Sequence, residues 1–306
     1  MVLEGRVRRV LGLFGEWQDG KTSLVGGPVE QARIIQKNAA IVLKTAGEFR
    51  PDFVLQGNLD FLGVVLVQKL VERGIPVIHS LGNQTPGYSQ KECFQSPLYT
   101  LAPASNWLGQ KFIKQGFSAP RIETVYPGAR IDRFYRYLLP DCRRLRIAYA
   151  SLMMPYKGPQ LLVHALVQLH RAGVDFQAEI AGDTTDQAFV DSLAKVVAEC
   201  GLSEKVKFIG YQGRRDLAAL FARSNVLAFP SEFDEPFGIT QVEAMASGLI
   251  VVTSGKGGTR EIVQHGVNGL VFEAGNPDSL ARSLLSIASD EGMRLSLQRN
   301  ARVRAI

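Results

Sequence analysis

From residue 145 to residue 253 the chain alternates short apolar runs with segments of helical spacing, and this rhythm constrains the fold more than any other feature. Leu145–Ala150, Phe176–Ala181, Val206–Gly210, 226–230 and 249–253 read as strands. The segments 161–170, 187–200, 217–223 and 239–247 read as helices. Gly173, Gly201 and Gly248 supply stop signals, and Asp216 is placed to cap the third helix. Strands that alternate with helices imply a mostly parallel sheet covered on both faces. In such sheets ligands bind beyond the carboxyl ends of the strands.

The first half is less regular. Residues 52–56 and 76–80 read as strands, with a helix over 62–73 between them that stops at Gly74. A second helix, 107–115, is closed by Gly116, and the polar, turn-rich stretch 86–97 reads as a loop. A Pro-Gly turn and the mixed run RIDRFYRYLL lie within 123–142. The expected domains are therefore 1–140 and 141–306, which suits a chain of 306 residues. With 46% hydrophobic and 21% charged residues, global disorder is excluded.

No apolar run approaches the ~20 residues of a membrane-spanning helix. Residues 10–14, behind Arg6, Arg8 and Arg9, are too few for a secretory signal. Cys93, Cys142 and Cys200 are odd in number and far apart, which argues against a disulfide framework or a structural zinc and favours a reducing, cytoplasmic compartment. Residues 1–140 carry 17 Lys/Arg against 11 Asp/Glu, whereas 141–306 carry 18 of each. The basic half is either a solvated surface or a face for something anionic, such as the inner face of a membrane or a phosphorylated lipid. Nucleic acid is not expected, because the basic residues are scattered without an aromatic-interleaved stripe.

The most informative stretch is 231–248, SEFDEPFGITQVEAMASG. It follows a strand and opens a helix. Gly238 lets a ligand approach the backbone, and the first helical turn offers free N–H groups and a positive dipole end suited to phosphate. Glu243 stands five residues past Gly238, roughly 8 Å along the helix axis. A carboxylate there can accept hydrogen bonds from ribose hydroxyls, while Glu235 lies on the ligand side of the same turn.

Glu235 and Glu243, in EPFGITQVE followed by AMASG, resemble the E-x7-E segment of retaining glycosyltransferases of family 4. The resemblance continues through Gly257-Gly258-Thr259-Arg260-Glu261-Ile262-Val263 and Asn268-Gly269-Leu270-Val271-Phe272, and upstream at Tyr156-Lys157-Gly158. It is specific over 145–285 and loose over 50–140, where Arg50-Pro51-Asp52, Ile75-Pro76-Val77, Ser105 and the Pro127-Gly128 turn leading to Phe134 carry it. It implies the GT-B fold: two Rossmann-like α/β domains with a cleft between them, an acceptor-side domain first and a nucleotide-sugar domain second. It implies that Glu243 binds the nucleotide ribose, that Glu235 contacts the donor sugar, and that Lys157 neutralises the departing diphosphate. Backbone amides of Phe237, Gly238, Ile239 and Thr240 would approach the phosphates, and Asp183, after its strand, would either shape the base pocket or simply make a turn. The donor would be a nucleotide sugar, with UDP expected over GDP and ADP. The acceptor would be a saccharide or a lipid-linked intermediate, and configuration would be retained without a protein nucleophile. Neither a permanent cofactor nor a metal is expected: no DxD motif is present, Glu232, Asp234 and Glu235 are a weak ligand set, and His79, His164, His170 and His265 are scattered.

The chain also departs from the family pattern. Ser151 and Leu152 occupy the stretch where the family carries an arginine before its lysine. Gly82 stands where a histidine near the sugar is usual, and His79 is a displaced equivalent with a catalytic role, a second family-like position, or a satisfied strand-end histidine. Only 7–14 precede Gly26-Gly27, so the first domain is expected to be shortened and this pair to be an ordinary loop. The chain stops at Ile306, about where the family's last helix should begin, as a fragment or a short member would. These departures support the alternative of a noncatalytic nucleotide-sugar-binding partner subunit. A sugar-nucleotide epimerase fits less well, since the transferase segment is so complete.

Overall fold

The computed structural model describes residues 9–18, 21–141 and 143–306; Arg6, Arg8 and Cys142 lie outside the described residues. The chain falls into two compact units that divide between Tyr126 and Pro127, earlier than the expected boundary at 140/141. The reason is packing. The Ser247 hydroxyl donates to the Phe134 carbonyl (2.8 Å), the Gln298 amide donates to the Pro140 carbonyl (3.0 Å), and the Phe134 ring lies 5.9 Å from that of Phe221. The mixed run after the Pro-Gly turn thus packs with the second unit, where Phe134 is fully buried.

The first unit opens with an antiparallel hairpin, β1 (Gly15–Gln18) and β2 (Lys21–Leu24). Gly26-Gly27 then leads into the 22-residue helix α1 (Pro28–Phe49), which the sequence reading left unassigned. Pro28 explains its start, since a proline at the first helical position loses no intrahelical hydrogen bond. Buried Asn38 docks this helix on the preceding chain through two hydrogen bonds with the Gly12 backbone (2.7 and 2.9 Å). There follow β3 (Val54–Gln56), α2 (Val65–Glu72), β4 (Val77–Leu81), β5 (Tyr99–Pro103), α3 (Asn106–Lys114) and β6 (Arg121–Ile122). Strands β3 to β6 form a four-stranded parallel sheet in sequence order. Ser105 caps α3 by accepting the Leu108 N–H at 3.1 Å.

The second unit comprises α4 (Ile131–Phe134), β7 (Leu145–Ala150), α5 (Pro159–Arg171), β8 (Phe176–Ala181), α6 (Gln187–Glu199), β9 (Val206–Gly210), α7 (Arg214–Arg223), β10 (Val226–Phe229), α8 (Ile239–Ala246), β11 (Ile250–Thr253), β12 (Leu270–Val271), α9 (Pro277–Ser289) and α10 (Glu291–Ala305). The expected strands and helices of 145–253 all form, within a residue or two at most ends. Helix α7 is the exception. It begins behind Gly213, so Asp216 sits inside its first turn, beside the positive helix end, rather than at the cap.

The six strands are parallel, in the order β12-β11-β10-β7-β8-β9. Strands β10 and β11 are buried along their whole length, as a sheet covered on both faces requires. The chain steps outward from β7 in one direction through β8 and β9, then returns to β10 and steps the other way. The switch point lies between β7 and β10, and ligands of open α/β sheets bind there. Among the described residues no helix is long and apolar enough to cross a membrane.

Candidate functional site

Two loops leave the carboxyl ends of β7 and β10 and are stitched together at the switch point. The Tyr156 carbonyl accepts the N–H groups of Glu232 (2.9 Å) and Phe233 (3.0 Å). Gly158 makes this approach possible: its φ is 72°, and a Cβ there would stand 2.0 Å from the Pro230 carbonyl oxygen. The Lys157 ammonium consequently meets Glu235, Nζ to Oε1, at 2.6 Å. Ser231 Oγ donates to the same carboxylate oxygen at 2.7 Å. The ammonium also lies over the Phe233 ring (4.7 Å to its centre) and the Tyr156 ring (5.5 Å). Both partners are largely buried, at 13% and 10% side-chain exposure, so the pair acts at lower dielectric than a surface bridge.

A third loop, after β11, fixes the Glu235 backbone. Glu235 and Gly257 form an isolated parallel bridge, and the Gly258 N–H donates to the Glu235 carbonyl at 2.7 Å. Any side chain on Gly257 would collide with that carbonyl, 2.3 Å from the place of its Cβ. Helix α8 then starts from Gly238 (φ 94°, ψ 57°) with no side-chain cap, which leaves its first N–H groups without intrahelical acceptors. Phe237 is buried, and Gly238, Ile239 and Thr240 are half-buried at this end. Glu243 projects from the same helix and is buried; desolvation pushes its carboxyl pKa up, and the Arg214 and Arg133 guanidiniums offset part of that rise.

Lys157, Glu235, the 237–240 backbone and Glu243 are thus gathered at one end of one sheet by their own loops and helix. Asp183 follows β8, exposed; its Oδ1 accepts the Thr184 N–H (2.9 Å) and its carbonyl accepts the Met153 N–H (2.7 Å), so its recorded bonds are those of a turn. His79 belongs to the first unit. It sits in the middle of β4 with no exposed surface, its Nδ1 2.9 Å from the Tyr99 hydroxyl, which in turn lies 3.0 Å from that of Tyr88. Burial pulls its pKa down to about 4, against a smaller upward pull from the Gly57 backbone. The imidazole is neutral and enclosed, so the expectation that it meets a donor gains no support from the fold.

Glu232, Asp234 and Glu235 go to separate partners: the Gln160 amide (3.0 Å), the Lys256 ammonium (3.8 Å) and Lys157. Among the described residues no group of three or more His, Cys, Asp or Glu side chains is arranged to hold a metal. Leu152 is 47% exposed and brings no charge. The sequence reading assigned no role to Ser231, Gln241, Arg133 or Arg214. Ser231 was within reach of it, as the second residue past β10; the two arginines come from separate elements, and no spacing rule links them to Glu243.

A sequence profile of glycosyl transferases group 1 matches residues 140–304, more than half of the chain. The chain belongs to this family. A D-inositol 3-phosphate glycosyltransferase of Corynebacterium efficiens is 26% identical over 195 residues, covering 59% of this chain and 46% of that protein. The chain spans about half the length of such curated relatives. Among solved structures, a glycosyltransferase from Rickettsia africae superposes with a TM-score of 0.77 at 19% identity, over 92% of this chain and 79% of that one. HepE of Anabaena, solved in complex with UDP-glucose, gives 0.71 at 24% identity, over 92% and 79%. The fold is accordingly the GT-B type, two Rossmann-like α/β units, as the sequence implied.

Proposed function

We propose that this chain is a retaining glycosyltransferase of family 4 that moves a sugar from a nucleotide-sugar donor, UDP-linked, to a saccharide or lipid-linked acceptor. The observation that carries the reading is the Lys157–Glu235 pair at the switch point, flanked by the uncapped start of α8 and by Glu243. A nucleotide sugar already has a good leaving group, and the work left to the protein is to stabilise the departing diphosphate and the cationic sugar. Lys157 and the amides of 237–240 suit the first task. Glu235 suits the second by accepting from sugar hydroxyls once its lysine turns to phosphate. Glu243 is the ribose acceptor, and Asp183 borders the base. The second unit is the donor domain, and the basic first unit takes the acceptor side, in contact with the inner face of a membrane where the acceptor is lipid-linked. The likeness to a solved UDP-glucose complex supports the choice of UDP.

The test is titration calorimetry with UDP-, GDP- and ADP-glucose on the native chain and on Glu243→Ala. Binding of one sugar nucleotide that the variant loses by tenfold or more is the expected result; no binding to the native chain overturns the reading. Uncharged Leu152 favours a second reading, a donor-binding subunit without turnover. Donor that binds but is never consumed, with any acceptor offered, would establish it.

A further inference from the structure

The side chain of Gln241 is unexplained by its surroundings. It is fully buried, and neither Oε1 nor Nε2 has a hydrogen-bond partner among the described residues. A buried amide in that state is costly and calls for a reason.

Gln241 is the third residue of α8, where a glutamine ordinarily reaches back and accepts the N–H of the cap residue. Here the cap, Gly238, is left-handed rather than extended, and Oε1 receives nothing. The side chain nevertheless runs back toward the cap, as helical side chains do. A Cβ on Gly238 would stand 2.5 Å from Nε2, with Thr259 Cγ2 at 3.2 Å and the Phe229 ring at 3.6 Å. The amide therefore lies against the Gly238 backbone at the start of α8, and the absence of a side chain at 238 leaves room for it.

We propose that Gln241 is a phosphate-binding residue of the donor site: its Nε2 donates to a phosphate oxygen seated on the first turn of α8. This rests on the donor reading given above. A neutral amide suits the place, because it adds a donor beside the positive helix end. Glu235 engages the Lys157 ammonium, so uncharged N–H groups share the hold on a diphosphate. Gln241 supplies one more of these, already desolvated.

Gln241→Leu keeps the size and removes both polar atoms; Gln241→Met serves as a second apolar variant should leucine perturb the fold. The expected result is a Tm equal to or above native, because an unpaired amide has gone, together with UDP affinity reduced at least tenfold and uridine affinity unchanged. Gln241→Glu, which sets an anion at the start of α8, is expected to weaken UDP binding further. A Tm loss with native UDP affinity would mean that the amide only fills space, and would overturn the proposal. Parallel loss of UDP and uridine would do the same, because the effect would not be on phosphate. If Glu243→Ala weakens UDP and the apolar variants do not, the donor site stands and the proposal alone fails. If the native chain binds none of UDP, GDP, ADP or inorganic pyrophosphate, the donor reading fails and the proposal with it.

Discussion

The two units treat buried polar groups in opposite ways. In the second, Lys157 and Glu235 are brought to the mouth of the sheet by loops that glycines hold tightly together, and they keep a little exposed surface. In the first, His79, Tyr99 and Tyr88 form a chain of hydrogen bonds in which His79 and Tyr99 have no exposed surface. The first arrangement keeps contact with solvent; the second ties the loop that carries Tyr88 to β4 and β5. Within the first unit burial varies across the sheet: Val77, Tyr99 and Leu101 on β4 and β5 are buried, whereas Phe53 and Leu55 beside and on the edge strand β3 are more than half exposed; in the second unit one buried cluster runs from Leu145 to Leu297.

The largest effect is expected at Lys157. Lys157→Gln should lower transfer from the donor about 10²–10³-fold, as loss of a preorganised charge at a departing anion does. Steady-state rates at saturating donor test this; a drop below tenfold would place the lysine with the structural groups and erase the contrast. Core truncation should differ next. Leu166→Ala, fully buried in α5, should cost about 2–5 kcal/mol in urea unfolding, and Leu55→Ala, 67% exposed, within about 0.5 kcal/mol. Equal losses would mean that β3 is covered in solution.

The smallest effect concerns pH. The His79 imidazole titrates at about 4 in the folded chain and near 6.5 when unfolded. Between those values the unfolded chain binds a proton that the folded chain does not, so stability rises with pH and is lost as pH falls from about 6.5 toward about 4. From pH 7 to pH 5 the loss is about 2 kcal/mol. Urea unfolding at both pH values should show native protein losing that much more than His79→Gln; identical losses would remove the enclosed histidine from the account.

Legibility in the sequence follows the same division. The strands of the second unit are short runs of Val, Ile, Leu and Ala, such as Ile250–Thr253, bounded by helices with glycine stops, and a doubly covered sheet needs nothing else. Helix α1 went unassigned because its apolar residues, Ile34, Ile35, Ala39 and Ile41–Val42–Leu43, lack a clean stop: Gly47 lies inside it, and it ends at Arg50 in the left-handed region. Strand β5 was hidden by Pro103 at its end, and the stretch 123–142 reads as the domain boundary because only contacts with α8, α7 and α10 assign its mixed run to the second unit.

At the site, the spacing of Glu235 and Glu243 and the glycine before α8 were written in the chain, because they depend on one turn and one helix. So was the parallel sheet whose strand ends they occupy. Tertiary structure alone decided that Lys157, on another loop, holds Glu235 from 2.6 Å, that Arg133 and Arg214 face Glu243, that Gln241 is buried without a partner, and that His79 is enclosed. Local patterns report periodicity and turn chemistry within a few residues. Pairing and burial depend on which distant segments the folded chain brings together, and no single segment carries that information.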